Sequence, residues 1–248
     1  MKYKALFLDV DGTTVVHGID ALPTLKVTQA IARCRDTGVA VCLATSRTLG
    51  ITLPIIEHLS LSGFCVIGGG IQIYDPQKKK IVQDTPLRKE TIPAIYRVAR
   101  EIHKNVGIYD GKKGKIYRGG KIPENVCHLY FPKIDPCDGP SVIKQLQKIP
   151  GTAVHRMDSW YKGFDWIDVT DANATKLHGI IEVGKLLGIQ THEMIGVGDG
   201  YNDFPLLMAC GLKIAMGNAV PELKAIADFV APSVEEDGVA TVIEKFIL

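Results

Sequence analysis

Five short apolar runs constrain the fold of this 248-residue chain more than any other feature. Within each run the apolar residues are consecutive rather than alternating, which is typical of strands buried on both faces of a sheet. Two helical segments between the runs end at Gly38 and Gly188, as helices commonly do. Buried strands alternating with helices predict an α/β fold, with a Rossmann-like parallel sheet flanked by helices. The runs are residues 4–10, 39–44, 64–67, 194–197 and 212–216, and the helical segments are 23–37 and 175–187.

The middle of the chain has a different pattern, in which helices and a hairpin replace the strand–helix alternation. We therefore predict that residues 1–83 and 169–248 form one core domain, into which residues 84–168 are inserted as a second α+β domain. The predicted elements of the insertion are helices over 89–104 and 141–149, a hairpin turn at 111–114, and strands over 152–157 and 164–169.

Composition excludes several classes of protein. With 29 Lys and Arg against 27 Asp and Glu, the net charge is only +2, so no global field attracts the chain to nucleic acid or to an anionic membrane. No apolar stretch approaches the ~20 residues of a membrane span. The first residues become acidic too soon for a signal peptide, and the six cysteines form no CxxC pair. We expect a cytoplasmic protein whose thiols are reduced core residues.

The first apolar run ends in a pair of carboxylates, Asp9 and Asp11. Side chains at positions i and i+2 of an extended chain point to the same side, so the two acids are expected to meet at one spot. Carboxylates so close repel each other unless a cation lies between them, which favours a hard ion such as Mg²⁺. Gly12 lets the chain turn after the pair. The alternative interpretation is an ordinary Asp-Gly turn after a strand.

A second acidic group comes after the fourth run, where Asp199 and Asp203 are separated by four residues. In a helical turn these two side chains share a face and could hold an ion. Alternatively, Asn202 or Asp203 caps the next helix along the chain.

Two further polar sites lie directly after predicted strands or begin predicted helices. Thr45 and Ser46 directly follow the second run. Their hydroxyl groups, next to the free backbone amides at the start of a helix, could bind a phosphoryl group. The alternative is that they only cap that helix. Lys176 lies in the first turn of a helix, where the helix dipole does not favour a cation, so it either answers a local anion or is simply solvated. All these sites fall where open α/β sheets bind their ligands, at the carboxyl ends of the strands.

In this order, the motifs resemble those of the haloacid dehalogenase (HAD) superfamily of phosphohydrolases, and within it the Cof-type sugar-phosphatase branch with an inserted C2-type cap. The resemblance covers the whole chain. It departs from the family at Ser46, where glycine is frequent, and at 67–70, where the family often has Asn-Gly before the cap. The matching segments are residues 8–13 (LDVDGT), 44–47 (ATSR), Lys176 and 198–203 (GDGYND).

The resemblance implies a role for each matching residue. It implies that Asp9 is the nucleophile that forms an aspartyl-phosphate, and that Asp11 is the general acid and base. Phosphate would be bound by Thr45, Ser46, Lys176 and Asn202. Mg²⁺ would be held by the carboxylates of Asp9 and Asp199 and by the backbone carbonyl of Asp11. The Asp203 carboxylate would either bind the ion through water or orient Lys176.

Three functions fit this set of residues: a Mg²⁺-dependent phosphatase for a small phosphorylated metabolite, a phosphosugar mutase or phosphotransferase on the same fold, and a non-enzymatic phosphometabolite-binding protein. The acid Asp11 argues against the third, because a mere binder does not need it. The resemblance also implies that residues 84–168 select the substrate, which the sequence does not identify, and it leaves the oligomeric state open. Candidate selectivity residues are Arg118, Lys121, Arg156, Trp160, Tyr161 and Lys162.

Overall fold

The computed structural model describes residues 2–111, 113–159 and 161–248. In chain order their strands are β1 (Ala5–Leu8), β2 (Ala40–Leu43), β3 (Cys65–Ile67), β4 (Gln72–Asp75), β5 (Lys80–Asp84), β6 (Val106–Tyr109), β7 (Gly114–Tyr117), β8 (His128–Ile134), β9 (Thr152–Asp158), β10 (Asp165–Asp171), β11 (Met194–Gly198), β12 (Leu212–Ala215) and β13 (Phe229–Val230). The helices are α1 (Leu25–Asp36), α2 (Leu49–His58), α3 (Ile92–Glu101), α4 (Gly139–Leu146), α5 (Lys176–Leu187), α6 (Phe204–Ala209), α7 (Pro221–Ile226) and α8 (Gly238–Phe246).

Four of the five apolar runs, together with the two-residue strand β13, form a parallel sheet with the strand order β13-β12-β11-β1-β2. Within this sheet, Ala5 of β1 is in register with Met194 of β11 on one side and with Ala40 of β2 on the other. All four residues of β1 are buried, because helices flank the sheet. The predicted Rossmann-like parallel sheet is therefore confirmed.

The helices begin and end close to the predicted positions. Helix α1 starts after Thr24, whose hydroxyl accepts a hydrogen bond from the Val27 amide at 3.2 Å, and it buries Val27, Ile31 and Cys34 along one face. Helix α5 begins at Lys176, within one residue of its predicted start.

The third run, predicted as another strand of the parallel sheet, is a different element. Strand β3 lies in a separate antiparallel sheet with the order β3-β4-β5, and a single isolated bridge from Ala44 to Val66 links it to the end of β2. The reason is local: residues 68–70 all have positive φ angles, so the chain reverses directly after three strand residues and β3 pairs with β4.

The second compact unit is Thr85–Thr175, and the first consists of Met1–Asp84 with Lys176–Leu248. The second unit is an antiparallel sheet of order β7-β6-β8-β10-β9, whose apolar face packs with helices α3 and α4 into its own core. The predicted hairpin corresponds to β6 and β7, although Lys112 of its turn lies outside the described residues. Strand β8 has no counterpart among the predicted strands.

The predicted division after residue 168 cuts through β10. That strand pairs with β9 along its whole length, from Asp165 opposite Asp158 to Asp171 opposite Thr152, so its last residues remain with the second unit. Among the residues described, no helix has the length and apolar character needed to cross a bilayer.

Candidate active site

The buried side chain of Lys176 contacts two acids that are far apart in the sequence, Asp9 and Asp203. Asp9 is the residue directly after β1, and its Oδ1 accepts a hydrogen bond from Lys176 Nζ at 2.7 Å. The same ammonium donates to Asp203 Oδ1 at 2.5 Å. All three side chains are buried, so these charges interact with little screening by water. Of the two possibilities for Lys176, the anion partner is the correct one.

The loop that carries the second acidic group is held together by the Asp203 carboxylate. Asp203 Oδ2 accepts hydrogen bonds from the backbone amides of Asp199 and Gly200, each at 2.9 Å, at the start of the short 3-10 turn Tyr201–Asp203. The Asp199 carboxylate accepts a hydrogen bond from the Thr13 hydroxyl at 2.8 Å. Asp203 thus binds the backbone of its own loop and is also a partner of Lys176, but its side chain makes no capping hydrogen bond to α6, so the interpretation as a cap of the next helix is wrong.

Asp9, Asp199 and Asp203 together could hold a metal ion. One carboxylate oxygen from each lies within 4.8 Å of the others. Burial raises the pKa of Asp9 to about 7 and that of Asp199 to about 8, and the charge of Asp203 adds to both effects against the opposing charge of Lys176. Three acids with one ammonium leave negative charge in a buried place, and an all-oxygen donor set is the one that a hard divalent cation prefers. The residues therefore fit a divalent metal.

Close packing at Gly12 brings the first acidic loop against the second. Gly12 has a φ of +72°, and a Cβ built on it would lie 2.2 Å from Asp199 Oδ2. The Asn218 side chain donates hydrogen bonds to the Gly12 carbonyl at 2.8 Å and to Asp199 Oδ2 at 3.3 Å. Sequence reasoning missed Asn218, although it lies after β12 at the same sheet edge as the other polar residues.

Asp11 lies near enough to Asp9 for its charge to raise the pKa of Asp9, but the two carboxylates are not held side by side as the i and i+2 residues of a strand. Strand β1 ends at Leu8, and the chain is turning at Asp11, so the alternation of an extended chain does not apply. The Asp11 carboxylate instead forms two hydrogen bonds with Arg47, from Nε at 2.7 Å and from Nη2 at 2.6 Å. It is absent from the acidic cluster found among the described residues, so a metal role for Asp11 through its backbone carbonyl stays a prediction.

The predicted phosphate-binding residues come together in part. The Asn202 side chain donates a hydrogen bond to Ser46 Oγ at 3.1 Å, across 156 residues of sequence. Thr45 is buried, and its hydroxyl accepts a hydrogen bond from the Arg47 amide at 3.1 Å. Neither hydroxyl caps a helix, because α2 begins only at Leu49, after Thr48. The plain helix-cap interpretation is therefore wrong.

The candidate selectivity residues lie in the second unit. The Arg156 Nε lies 2.9 Å from Asp165 Oδ2, so it is paired within this unit. Tyr161 is exposed, with Lys133 Nζ 3.9 Å from its ring centroid. Trp160 lies outside the described residues. The role of all these candidates stays a prediction.

Known proteins are similar to this chain over nearly its whole length. The family model for haloacid dehalogenase-like hydrolases matches residues 6–136 and 133–243. The stress response protein YhaX of Bacillus subtilis is 36% identical to this chain, and the match covers 99% of this chain and 94% of YhaX. The 5-amino-6-(5-phospho-D-ribitylamino)uracil phosphatase YcsE of the same organism is 27% identical, and the match covers 99% of this chain and 96% of YcsE. BT1666 from Bacteroides thetaiotaomicron, a HAD phosphatase of known structure, superimposes with a TM-score of 0.84 at 20% identity, covering 98% of this chain and 95% of that one.

The chain therefore belongs to the haloacid dehalogenase-like hydrolase family. Within it, the protein is a Cof-type hydrolase and an enzyme of the phosphatase class. The resemblance drawn from the motifs is confirmed, and the interpretation as a non-enzymatic binding protein is set aside.

Proposed function

We propose that the protein is a Mg²⁺-dependent phosphatase that hydrolyses a small phosphorylated metabolite, of the sugar-phosphate kind, through an aspartyl-phosphate intermediate. The observation that carries this proposal is the Asp9 carboxylate, buried at the end of β1 with Lys176 on one oxygen and two further acids within 4.8 Å. Among the described residues, Asp9 Oδ2 has no hydrogen-bond donor, and this leaves one oxygen for attack on phosphorus.

Asp9 and Asp11 divide the chemistry between them. Asp9 attacks phosphorus, the bond from phosphorus to the substrate oxygen breaks, and Asp11 gives its proton to the departing alkoxide. Water then attacks the phosphoaspartate while Asp11 takes a proton from it, which releases phosphate and restores Asp9. Covalent catalysis of this kind divides one difficult displacement into two easier steps. The Asp11 side chain is 25% exposed, which leaves it accessible to a substrate oxygen.

Charge neutralisation and positioning fall to the residues around Asp9. Lys176, Thr45, Ser46 and Asn202 would bind the phosphoryl oxygens. Asp9, Asp199 and Asp203 would hold Mg²⁺, with Asp203 in contact directly or through water. When bound, the ion would neutralise the charge that the phosphoryl group and the carboxylates bring together.

Release of inorganic phosphate tests the proposal. The unaltered protein is incubated with sugar phosphates, phosphoglycolate, nucleotides and pyridoxal phosphate, in MgCl₂ and in EDTA. We expect release from at least one substrate in Mg²⁺ and its loss in EDTA. The variant Asp9→Asn removes the nucleophile at constant shape and is expected to release no phosphate, whereas Asp20→Asn, at an exposed position, serves as the matched control.

Two results would contradict the proposal. Near-normal phosphate release by Asp9→Asn would exclude the nucleophile. Consumption of a substrate with no free phosphate, and transfer of the phosphoryl group to a second hydroxyl, would instead identify the phosphosugar mutase.

We also propose that the second unit is the substrate-selecting cap, on the strength of the family resemblance. A cytoplasmic location is proposed from the thiols, since Cys34, Cys42, Cys65 and Cys210 are buried in the core of the first unit and resemble the reduced cysteines of cytosolic proteins.

A further inference from the structure

The two places where this chain departs from its family, Ser46 and the glycine turn at residues 68–70, are neighbours in the structure. Both belong to the first unit. The turn is attached to the loop that carries Ser46 by a hydrogen bond from the Gly69 amide to the Thr45 carbonyl at 2.8 Å. A second one, from the Gly68 amide, reaches the carbonyl of the residue after Ser46 at 2.9 Å. The turn therefore faces this loop.

The backbone of the turn shows where the Asn-Gly pair that is frequent in the family would fit. Gly70 has a φ of +115°, which lies outside the left-handed helical region and suits only glycine. Gly69 has a φ of 72° and a ψ of 12°, close to the left-handed helical region that asparagine also adopts. An Asn-Gly pair therefore fits positions 69 and 70, and the frequent asparagine corresponds to Gly69.

A side chain at position 69 would extend towards Ser46. Apart from residues 68 and 70, a Cβ built on Gly69 has one described neighbour within 4 Å, the Ser46 Oγ at 3.7 Å. With glycine at position 46, as is frequent in the family, this space would be open to an asparagine side chain. A serine hydroxyl and an asparagine amide both donate and accept hydrogen bonds, so either can supply a polar group of the same kind there.

The Ser46 hydroxyl has a hydrogen bond left to give to a ligand. Its oxygen accepts a hydrogen bond from Asn202 Nδ2 at 3.1 Å, and in the described part of the chain no group accepts its proton. Asn202 lies in sequence between Asp199 and Asp203, two members of the acidic cluster, so this hydroxyl lies beside the candidate active site. Hydrogen bonds to a charged acceptor such as a phosphoryl oxygen are the strong ones.

We propose that Ser46 and Gly69 are a compensating pair. The Ser46 hydroxyl replaces the polar side chain that relatives with Asn-Gly carry at position 69, it positions the Asn202 amide, and it donates its own proton to the phosphoryl group of the substrate. This inference rests on the proposed phosphatase function. It explains two departures from the family pattern as a single exchange, in which a polar group beside the acidic cluster is moved from one loop to its neighbour.

A double-mutant cycle tests the exchange. The variants are Ser46→Gly, Gly69→Asn, and the two together, which restore the pair that is frequent in the family. Ser46→Gly combined with Gly188→Asn is the matched control, because Gly188 also has a positive φ, +67°, with nothing within 4 Å of an added Cβ. The measurements are kcat/KM for phosphate release in MgCl₂, the Kd of inorganic phosphate by isothermal titration calorimetry, and Tm to check that each variant is folded.

Ser46→Gly removes a hydrogen bond to a charged group, so we expect it to lower kcat/KM and to weaken the binding of inorganic phosphate, each by about 10- to 100-fold. Adding Gly69→Asn should recover most of both losses, whereas adding Gly188→Asn should recover neither. Gly69→Asn alone places a second polar side chain in the space that Ser46 occupies, so it should not raise kcat/KM.

An unchanged kcat/KM in Ser46→Gly, or a double variant no better than Ser46→Gly alone, would overturn the exchange and leave Asp9-dependent hydrolysis standing. Equal recovery with Gly188→Asn would overturn it as well, because the gain would then not come from the side chain at position 69. If the unaltered protein releases phosphate from no substrate, the proposed function fails, and recovery of phosphate binding in the double variant then decides the exchange.

Discussion

Removal of divalent metal is expected to make the stability of the first unit depend on pH in an unusual direction. Without metal, burial and mutual repulsion raise the pKa of Asp9 to about 7 and that of Asp199 to about 8, from an ordinary value of 3.8. A carboxyl with a raised pKa in the folded state binds its proton more tightly there than in the unfolded chain. The free energy of unfolding therefore falls as pH rises from about 4 to 8 and levels off above that.

The size of the effect can be worked out from the pKa shifts. Within the window where the unfolded carboxyl is ionised and the folded one is not, each group lowers the stability by about 1.4 kcal/mol per pH unit. For a domain of 150–250 residues this corresponds to a fall in Tm of roughly 3–6 °C per pH unit. Because Asp9 and Asp199 interact, the two protons belong to the pair, and the combined slope is the measurable quantity.

Metal is expected to abolish this slope. Mg²⁺ binds the ionised carboxylates and competes with protons, so its stabilising effect should be small at pH 5 and should grow up to about pH 8. The assay is the Tm in EDTA and in MgCl₂ at each pH, at constant ionic strength. The difference between the two values removes the contributions of all other titrating groups. Asp199→Asn should reduce the growth of that difference, and the exposed Asp36→Asn should not.

A metal-induced gain in Tm that is the same at pH 5 and pH 8 would refute the reasoning, because it would mean that the acids are already ionised in the metal-free protein. A gain that shrinks with rising pH would refute it as well.

Three substitutions test other parts of the site. Lys176→Met keeps the volume but leaves two buried acids without their cation; we expect a loss of about 3–5 kcal/mol in urea unfolding, and no phosphate release. Gly12→Ala places a methyl group against Asp199 and should abolish Mg²⁺-dependent turnover. Gly38→Ala also has a positive φ but open space around it, so it should cost about 1–2 kcal/mol of stability and leave turnover unchanged. Asn218→Ala loses two hydrogen bonds that hold the acidic loops together and is expected to raise the Mg²⁺ concentration for half-maximal activity by about tenfold.

The sequence predicts the parallel sheet well because its signal is local. Each residue of β1 is apolar and buried. A strand that is buried on both faces is an uninterrupted apolar run, which can be recognised without knowing which face each side chain points to. Strand β3 has the same local signal yet belongs to another sheet, because its membership depends on how residues 68–70 turn. Strand β8 escapes sequence-based prediction because Pro132 lies inside it, and a proline within a run argues against a strand.

The acidic site could be predicted from the positions of polar residues at strand ends. Asp9 and Asp199 come directly after neighbouring parallel strands, and the carboxyl ends of such strands lie at one edge of a sheet, so their meeting needs no knowledge of side-chain packing. The same argument applied to β12 would have found Asn218.

Asp11 shows where reasoning from sequence spacing ends. The rule that i and i+2 share a side holds for an extended chain, but the amides of Thr13 and Thr14 both donate to the Val10 carbonyl, which turns the chain at Asp11. Its carboxylate is then oriented by Arg47, whose guanidinium also donates to the carbonyls of residues 18 and 19. The guanidinium group is planar and its donor directions are fixed, so it can bind the Asp11 carboxylate and two carbonyls only when all three acceptors are correctly placed. The orientation of the Asp11 side chain is therefore set by the loop at residues 18 and 19 and by Arg47, just before α2. Both lie outside the motif that contains Asp11, so no spacing within that motif could encode the orientation.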